Sequence, residues 1–338
     1  MHSLNIYFTG VNRVELRVEP VREVLPDHVL VRARASLISS GTEGICLSRA
    51  FEPDSHWDRW VQYPFAPGYS MIGIIEQVGS TVDNLRVGDC VAVRAPHQQY
   101  IHIPAHRRAL LRVPEGIAAD EATWFALAKI AQAGVRAAEH VLGDAVAIIG
   151  QGPVGQLVTQ HVRLQGAREI IVIDPVSERL ALAQKHGATT VLGTTVDAAR
   201  NVVDQVTGGQ GVDVVYDVTG AAPVMAQALP LLRRFGRLVL LGDTGTPTAQ
   251  HLTSDVITRG LRIIGAHDGH SPSVSSDHAR WDAYEMTELF FTYLKRGDMS
   301  VADLITHHFA PTDAPAAYQL LRETPRIAMG VVFDWTQL

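Results

Sequence analysis

Hydrophobic and polar positions follow two different periods along the chain, and the change between them falls near residue 120. Before this point apolar residues recur at every second position, as at Val14, Leu16 and Val18. Period-two alternation between closely spaced turns predicts many short strands, packed as a small barrel or sandwich. The polar and aromatic segment 48–67 interrupts these strands. It is interpreted as a functional lid or an interface, or else as a surface loop held by its aromatic side chains.

After residue 120, helical patterns alternate with short apolar runs typical of buried parallel strands. One alanine-rich helix is predicted over residues 120–143 and another over 223–234. The predicted strands are 145–149, 169–174, 190–192, 212–218, 237–241 and 261–264. Such β–α alternation predicts an α/β fold with a doubly wound parallel sheet. A polar loop follows, then amphipathic helices at 281–294 and 313–322, and a strand at 330–333 that returns to the first domain.

The stretch 145–174 carries the clearest chemical pattern, because its strand, turn, helix and second strand end in an acid. Gly150, Gly152 and Gly155 fit G-x-G-x-x-G. The first glycine permits a tight turn, the second lets the backbone approach a pyrophosphate, and the third lets the helix pack on the strand. Asp174, 19 residues beyond Gly155, can bind both ribose hydroxyls and repels a 2′-phosphate. NAD is therefore the predicted cofactor; the alternative is a glycine-rich turn of another α/β protein.

Ligands of such sheets bind at the carboxyl ends of the strands. The helix that follows the glycine turn also offers unpaired N–H groups to phosphates. Further cofactor contacts are therefore predicted at Pro153, Val154, Thr219, Gly220 and Gly242.

Length and composition limit the classes of protein that fit. A chain of 338 residues predicts two domains, and a net charge of −6 argues against nucleic acid and anionic membrane surfaces. The sequence has no apolar run long enough for a membrane span and starts without the pattern of a signal peptide. The two cysteines, Cys46 and Cys90, are predicted to be reduced thiols of a cytoplasmic protein.

Four further motifs are SGTE at residues 40–43, PGYS at 67–70, VGDCV at 87–91 and LITH at 304–307. With the glycine turn and the β-rich start, they resemble the medium-chain dehydrogenase/reductase superfamily, the zinc alcohol dehydrogenases and their zinc-free relatives. The resemblance implies a GroES-like β-rich catalytic domain (residues 1–123 and 266–338) and a Rossmann cofactor domain (residues 124–265). It also implies hydride transfer between an alcohol and a ketone, and a homodimer formed through the cofactor domain with strand 261–264 as its edge.

The sequence differs from the zinc members at the positions of their metal ligands. The resemblance puts Ser40, Tyr69 and Ala126 where metal ligands would stand, and the four-cysteine lobe for structural zinc is missing. Serine and tyrosine are poor zinc ligands at neutral pH, and alanine is none. No metal is predicted, and His267 and His270 are the nearest alternative ligands.

Without zinc, side chains must manage the proton of the substrate oxygen. Tyr69 is interpreted as a proton donor and acceptor, or else as a packed aromatic. Lys129 lies on an apolar helix and is either desolvated in the cleft, where it would help a hydroxyl lose its proton, or directed to solvent. Ser40 and Thr42 offer hydroxyls, and the equivalent of Thr42 belongs to the proton relay of zinc members.

Substrate contacts are predicted among the remaining polar groups. Glu43 is a base or a turn acid, and His97 moves a proton or lies at the surface. His267, Asp268 and His270 follow the last sheet strand and bound the substrate pocket. These polar positions favour a small hydroxylated substrate such as a sugar, cyclitol or polyol. Two other functions remain open: a zinc-free enoyl or quinone reductase, and a non-enzymatic dinucleotide-binding sensor.

Overall fold

The computed structural model describes residues 1–106 and 109–338, which separate into two compact units. The first unit holds residues 1–126 and 272–338, and the second holds residues 127–271. The predicted domain boundaries, 123/124 and 265/266, lie close to these divisions. Each unit has its own hydrophobic core.

The strands, in chain order, are β1 (His2–Gly10), β2 (Arg13–Pro20), β3 (His28–Leu37), β4 (Met71–Val78), β5 (Cys90–Val93), β6 (Tyr100–Pro104), β7 (Leu110–Arg112), β8 (Ala145–Ile149), β9 (Glu169–Ile173), β10 (Thr190–Leu192), β11 (Val212–Asp217), β12 (Leu232–Leu240), β13 (Arg262–Gly265), β14 (Ile305–Phe309) and β15 (Gly330–Asp334). The α-helices are α1 (Ser40–Ser48), α2 (His56–Trp60), α3 (Ala119–Ala122), α4 (Phe125–Ala137), α5 (Pro153–Leu164), α6 (Ser177–Lys185), α7 (Val196–Val206), α8 (Ala222–Ala228), α9 (Asp255–Thr258), α10 (Ala283–Arg296) and α11 (Ala314–Glu323).

The first unit is built on a mainly antiparallel sheet with the order β14-β15-β3-β4-β5-β7, and β6 also pairs with β3. Strands β1 and β2 form a separate hairpin. As predicted, β15 returns to the first domain, where Val332 pairs with Leu37 of β3. Alternate residues of these strands face one core, which includes Val31 and Phe333. The predicted β-rich domain is confirmed.

Segment 48–67 is held by its aromatic side chains, which is the second of its two interpretations. Trp57 is buried in the core of the unit, and Phe65 exchanges two backbone hydrogen bonds with Phe8. The segment also contains the short helix α2, which the sequence pattern did not predict. Its N-terminus is capped by Ser55, whose side chain accepts a hydrogen bond from the Asp58 N–H.

The second unit is a parallel six-stranded sheet with the order β10-β9-β8-β11-β12-β13. All five residues of β8 are buried, which explains its continuous apolar run. The predicted doubly wound α/β fold is therefore confirmed. Strand order reverses direction between β8 and β11, and this is the place where open α/β sheets bind their ligands.

The predicted helix 120–143 is two helices, and it ends early. The helix is interrupted between α3 and α4, where the hydroxyl of Ser70 donates a hydrogen bond to the carbonyl of Thr123. At the other end, the Arg237 guanidinium binds the carbonyls of Ala138 and Glu139. Glu139 has a left-handed φ of 53°, so the helix cannot continue.

Two other predicted helices have different bounds. The one at 223–234 ends at Ala228, because Pro230 has no N–H to donate and the strand β12 already begins at Leu232. The one at 281–294 begins two residues later than predicted, since Asp282 caps α10 by accepting a hydrogen bond from the Glu285 N–H. Across residues 1–106 and 109–338, each helix is too short or too polar to cross a bilayer.

Candidate cofactor and catalytic sites

The three glycines of the turn after β8 are needed for three different reasons. Gly150 has a φ of +94°, which a residue with a side chain rarely adopts. A Cβ on Gly155 would lie 2.0 Å from the Gly150 carbonyl oxygen, so only glycine lets α5 approach the turn. Gly152 has an ordinary φ of −70°. A Cβ there would meet nothing within 4 Å.

The open side of Gly152 coincides with the start of α5. Gly152 occupies the N-cap position and has no side chain that could cap the helix, which begins with Pro153. The N–H groups of Val154 and Gly155 belong to the first turn, where helices offer unpaired donors and a positive dipole end. A phosphate group fits this turn, since Gly152 adds no side chain that would exclude it.

Asp174 holds the turn from the end of β9. Its Oδ2 accepts a hydrogen bond of 2.7 Å from the Gln151 N–H, and its Oδ1 accepts one of 2.8 Å from the Val176 N–H. Arg179 Nη1 lies 3.8 Å from Oδ2, and Asp174 is 3% exposed. Each carboxylate oxygen can accept a second hydrogen bond. Asp174 thus has a structural role in the turn that the sequence reasoning missed, beside its predicted role toward the ribose.

The loops after β11 and β12 complete the same edge of the sheet. Asp217 accepts hydrogen bonds from the N–H and the hydroxyl of Thr219, at 3.0 and 2.7 Å, and burial raises the pKa of its carboxyl. A Cβ on Gly242 would lie 2.4 Å from the Gly220 nitrogen. A Cβ on Gly150 would lie 3.0 Å from Thr219 Cγ2. The structure therefore brings Thr219, Gly220 and Gly242 beside the glycine turn.

Lys129 forms an ion pair within the second unit. Its Nζ lies 3.0 Å from Asp268 Oδ2, and the side chains of Lys129 and Asp268 are 8% and 6% exposed. A carboxylate at this distance favours the ammonium ion over the neutral amine. The interpretation of Lys129 as directed to solvent is therefore wrong, because the side chain is buried. Its predicted place in the catalytic cleft stays a prediction.

The histidines beside Asp268 lie at the surface. His267 is 70% exposed, and its Nδ1 accepts a hydrogen bond from the Gly269 N–H. The rings of His267 and His270 are 5.8 Å apart. In the part of the chain that the structure describes, no group of three histidine, cysteine, aspartate or glutamate side chains is arranged to hold a metal ion. Cys46 and Cys90 are free thiols.

Tyr69 lies in a cluster of hydroxyl groups in the first unit. Its phenol donates a hydrogen bond of 2.6 Å to Ser39 Oγ and is also hydrogen bonded to Thr42. The Arg94 guanidinium lies 5.0 Å from the ring centre. Burial raises the pKa of Tyr69 to about 12. Ser40 begins α1 and is partly exposed.

Ser39 is a site residue that the sequence reasoning missed. It precedes the SGTE motif as the N-cap of α1, and its N–H donates to the Glu43 carboxylate at 2.8 Å. The capping-box pattern S-x-x-E is a known signal of a helix start. In this sequence it fits Ser40 to Glu43, so it indicates the start of α1 one residue late and does not single out Ser39.

Glu43 and His97 are buried rather than exposed. The Glu43 Oε2 accepts a hydrogen bond of 2.5 Å from the Tyr318 hydroxyl and lies 3.2 Å from His97 Nε2. His97 is fully buried, so its interpretation as a surface histidine is wrong. Their predicted contact with a substrate stays a prediction.

Two family models match the chain. The alcohol dehydrogenase GroES-like domain matches residues 26–113, and the zinc-binding dehydrogenase matches residues 153–282. The chain belongs to the alcohol dehydrogenase-like medium-chain dehydrogenase/reductase superfamily. The resemblance seen in the sequence is confirmed, and the protein is an alcohol oxidoreductase of this superfamily.

Two curated relatives in this superfamily align over most of the chain. D-Guloside 3-dehydrogenase of Escherichia coli K12 is 28% identical over 335 residues, which cover 92% of this chain and 95% of the relative. L-Threonine 3-dehydrogenase of Bacillus velezensis is 24% identical over 344 residues, with 91% and 92% covered.

Solved structures of the same fold hold either nicotinamide cofactor. A dehydrogenase structure from Sinorhizobium meliloti 1021 is bound to NADP and superposes with a TM-score of 0.78 at 20% identity, covering 99% of both chains. An alcohol dehydrogenase from Escherichia coli CFT073 is complexed with NADH and superposes with a TM-score of 0.81 at 19% identity, again covering 99% of both. At these identities the likeness establishes the fold alone.

Proposed function

We propose that the protein is an NAD-dependent, zinc-independent oxidoreductase that interconverts a secondary alcohol and a ketone by hydride transfer. The proposal rests on one observation: the side chains at the positions of the metal ligands in zinc members are poor zinc ligands or none. Ser40 and Ala126 offer poor or no ligands, and Tyr69 takes part in a hydroxyl cluster instead. The donor set does not fit zinc, so no step of the mechanism is assigned to a metal.

The glycine turn and Asp174 support a dinucleotide, and in particular NAD. The open N-terminus of α5 suits the pyrophosphate, and the buried carboxylate of Asp174 suits ribose hydroxyls. A 2′-phosphate would bring further negative charge to this carboxylate. When it is bound, the nicotinamide cofactor accepts or delivers the hydride.

The proton that accompanies the hydride is assigned to Tyr69. At neutral pH the phenol is protonated, because burial raises the pKa of Tyr69 to about 12. In ketone reduction it donates its proton to the carbonyl oxygen. In alcohol oxidation it passes its own proton to the Ser39 hydroxyl as it takes up the proton of the substrate hydroxyl. Ser39 and Thr42 are hydrogen bonded to the Tyr69 oxygen and can relay the proton onward.

Lys129 is proposed as a second catalytic group, acting as an ammonium ion that Asp268 holds in place. An ammonium donor can stabilise negative charge that develops on a substrate oxygen. Ser40 is proposed as a further hydroxyl donor. His267 and His270, exposed beside Asp268, are proposed as contacts to the substrate.

A small hydroxylated substrate is the favoured class. Hydroxyl, ammonium and imidazole groups are each able to bind a substrate hydroxyl. A relative at 28% identity is named for oxidation of a guloside, which supports a sugar, cyclitol or polyol. A homodimer is proposed through β13, the edge strand of the second sheet, next to the 89% exposed side chain of Ile257. The cytoplasmic location stays a prediction.

The test measures metal content and activity on the same preparation. Protein purified without chelator is expected to contain far less than one zinc per chain, and to reduce NAD with a sugar, cyclitol or secondary alcohol at a rate that chelators do not change. One zinc per chain, with activity lost on chelation, would refute the metal-free mechanism. Turnover of enones by NADPH without alcohol oxidation would favour the enoyl or quinone reductase. Membership of an enzyme superfamily leaves the sensor interpretation without support.

The cofactor preference is measured on the same material. NAD is expected to bind at least about tenfold more tightly than NADP, a difference of about 1.4 kcal/mol. Asp174→Asn, which removes the charge and keeps the size, is expected to narrow that ratio. An unchanged ratio in the variant would refute the role assigned to Asp174.

A further inference from the structure

The Glu43 carboxylate is buried on the first turns of α1, where three donors meet it. Oε1 accepts the Ser39 N–H at 2.8 Å. Oε2 accepts the Tyr318 hydroxyl at 2.5 Å and faces His97 Nε2 at 3.2 Å. Glu43 is 1% exposed, so this is an interior hydrogen-bond network and not a surface ion pair.

The hydrogen bonds on the far side of His97 fix the direction of the network. Trp335 Nε1–H can only donate, and it donates to Ser36 Oγ at 2.8 Å. The Ser36 hydroxyl is then placed to donate to His97 Nδ1, which lies 2.8 Å away. A His97 ring that accepts from Ser36 at Nδ1 and donates from Nε2 to Glu43 satisfies every group. Five side chains are thereby held in one arrangement.

This network supports both ends of the hydrogen bond between Tyr69 and Ser39. Glu43 binds the Ser39 backbone, whose side chain accepts the phenol proton at 2.6 Å. His97 packs under the turn that precedes Tyr69. A Cβ on Gly68 would lie 2.6 Å from the His97 ring. The backbone N–H of His97 also donates a hydrogen bond of 2.8 Å to the Pro67 carbonyl.

We propose that Glu43 and His97 are positioning residues, which hold Tyr69 and Ser39 in the geometry for proton transfer. They do not touch the substrate, in contrast to the prediction from the sequence. The proposal rests on the proposed function of Tyr69 and deepens it. The buried pair of Glu43 and His97 thus fixes the position of the Tyr69 phenol.

The kinetic test compares Glu43→Gln and His97→Leu with the wild-type enzyme. Both variants are expected to lower kcat by about 10- to 100-fold, because small displacements of a reacting group have effects of this size. KM is expected to stay within about twofold, since no substrate contact is lost. His97→Gln retains an N–H that can reach Glu43, and it is expected to recover part of the loss. Wild-type kcat in folded Glu43→Gln and His97→Leu would overturn the proposal.

A matched pair of variants separates positioning from general loss of stability. Tyr318→Phe removes one donor to Glu43. Tyr216→Phe removes another fully buried hydroxyl, bonded to His140 at 2.6 Å in the second unit. Both are expected to cost similar stability, but only Tyr318→Phe is expected to lower kcat. Equal kcat values in the two variants would contradict the proposal. If Glu43→Gln does not fold, these two conservative variants still test the proposal.

A readout without catalysis keeps the proposal independent of the reaction. In protein labelled with 3-fluorotyrosine, the Tyr69 resonance is assigned from its loss in Tyr69→Phe. The resonance is expected to shift and broaden in Glu43→Gln and Tyr318→Phe, and to stay unchanged in Tyr216→Phe. An unshifted resonance in the first two variants refutes positioning. Absence of alcohol oxidation by wild-type protein refutes the proposed function instead, and leaves this measurement to decide the positioning.

Discussion

Two glycines of the same turn should respond differently to replacement by alanine: Gly155→Ala should lower the stability of the fold, and Gly152→Ala should weaken cofactor binding. In Gly155→Ala the new Cβ lies 2.0 Å from the Gly150 oxygen and 2.9 Å from its carbonyl carbon. Ordinary contacts of carbon need about 3.5 Å, so α5 must move by roughly 1.5 Å. Overpacking of this kind costs about 1–3 kcal/mol. The higher helix propensity of alanine returns at most about 1 kcal/mol.

Gly152→Ala changes the same turn without this clash. Its φ of −70° suits any residue, and its Cβ meets nothing within 4 Å. The cost to the fold is limited to the weaker N-cap, about 0.5 kcal/mol. Its methyl group nevertheless occupies the open side of the turn, where the backbone is proposed to meet the pyrophosphate. The affinity for NAD is expected to fall by about tenfold or more, which is about 1.4 kcal/mol.

Thermal unfolding and calorimetric titration with NAD measure the two effects separately. Gly155→Ala should lower the Tm by roughly 3–8 °C, and Gly152→Ala should leave it nearly unchanged while weakening NAD binding. Gly44→Ala in α1 is the control, since its Cβ also meets nothing within 4 Å and it lies in the other unit. Wild-type affinity in Gly152→Ala would refute the assignment of the open side to the pyrophosphate. A wild-type Tm in Gly155→Ala would refute the need for close packing.

Three further predictions concern the proton, the pH and the subunit contact. Tyr69→Phe and Lys129→Ala should each lower turnover by about 100-fold in steady-state assays; unchanged turnover in both would make them packing residues. Burial lowers the pKa of His161 to about 4 from 6.5, so the unfolded chain binds a proton first as the pH falls. Stability should therefore drop between pH 6.5 and pH 4 by about 3 kcal/mol. In urea titrations His161→Gln should flatten this slope, and an equal slope would exclude His161 as its cause. Ile257→Asp should convert a dimer to a monomer in light scattering, whereas a variant that stays dimeric would place the interface elsewhere.

The sequence predicted those features that depend on neighbours in the chain. The glycine turn and Asp174 lie within a single β–α–β unit, so spacing alone identified them. The parallel sheet was predicted because its inner strands β8 and β9 are buried on both faces and read as apolar runs. The motifs at residues 40–43 and 67–70 placed Tyr69 and Thr42, which the structure joins by a hydrogen bond.

The features that depend on distant contacts were missed or wrong. Tyr318 is 275 positions from Glu43, and no local pattern indicates that it donates to that carboxylate. The ion pair between Lys129 and Asp268 is equally hidden, so Lys129 was interpreted without its partner. The end of α4 is set by Arg237, about 100 positions away, although the alanine-rich pattern continues past it. Tertiary contacts override local propensity at each of these places.

The hydrogen bond from Tyr318 to Glu43 also has a consequence for the order in which the two units can fold during synthesis. The second unit is continuous, residues 127–271, and is complete when residue 271 leaves the ribosome. The first unit must wait for residues 272–338, which supply β15 to pair with β3 and α11 to carry Tyr318. Domains generally fold as units as they emerge. The second unit can therefore fold first, and Tyr69 reaches its final geometry only after residues 272–338 have been made.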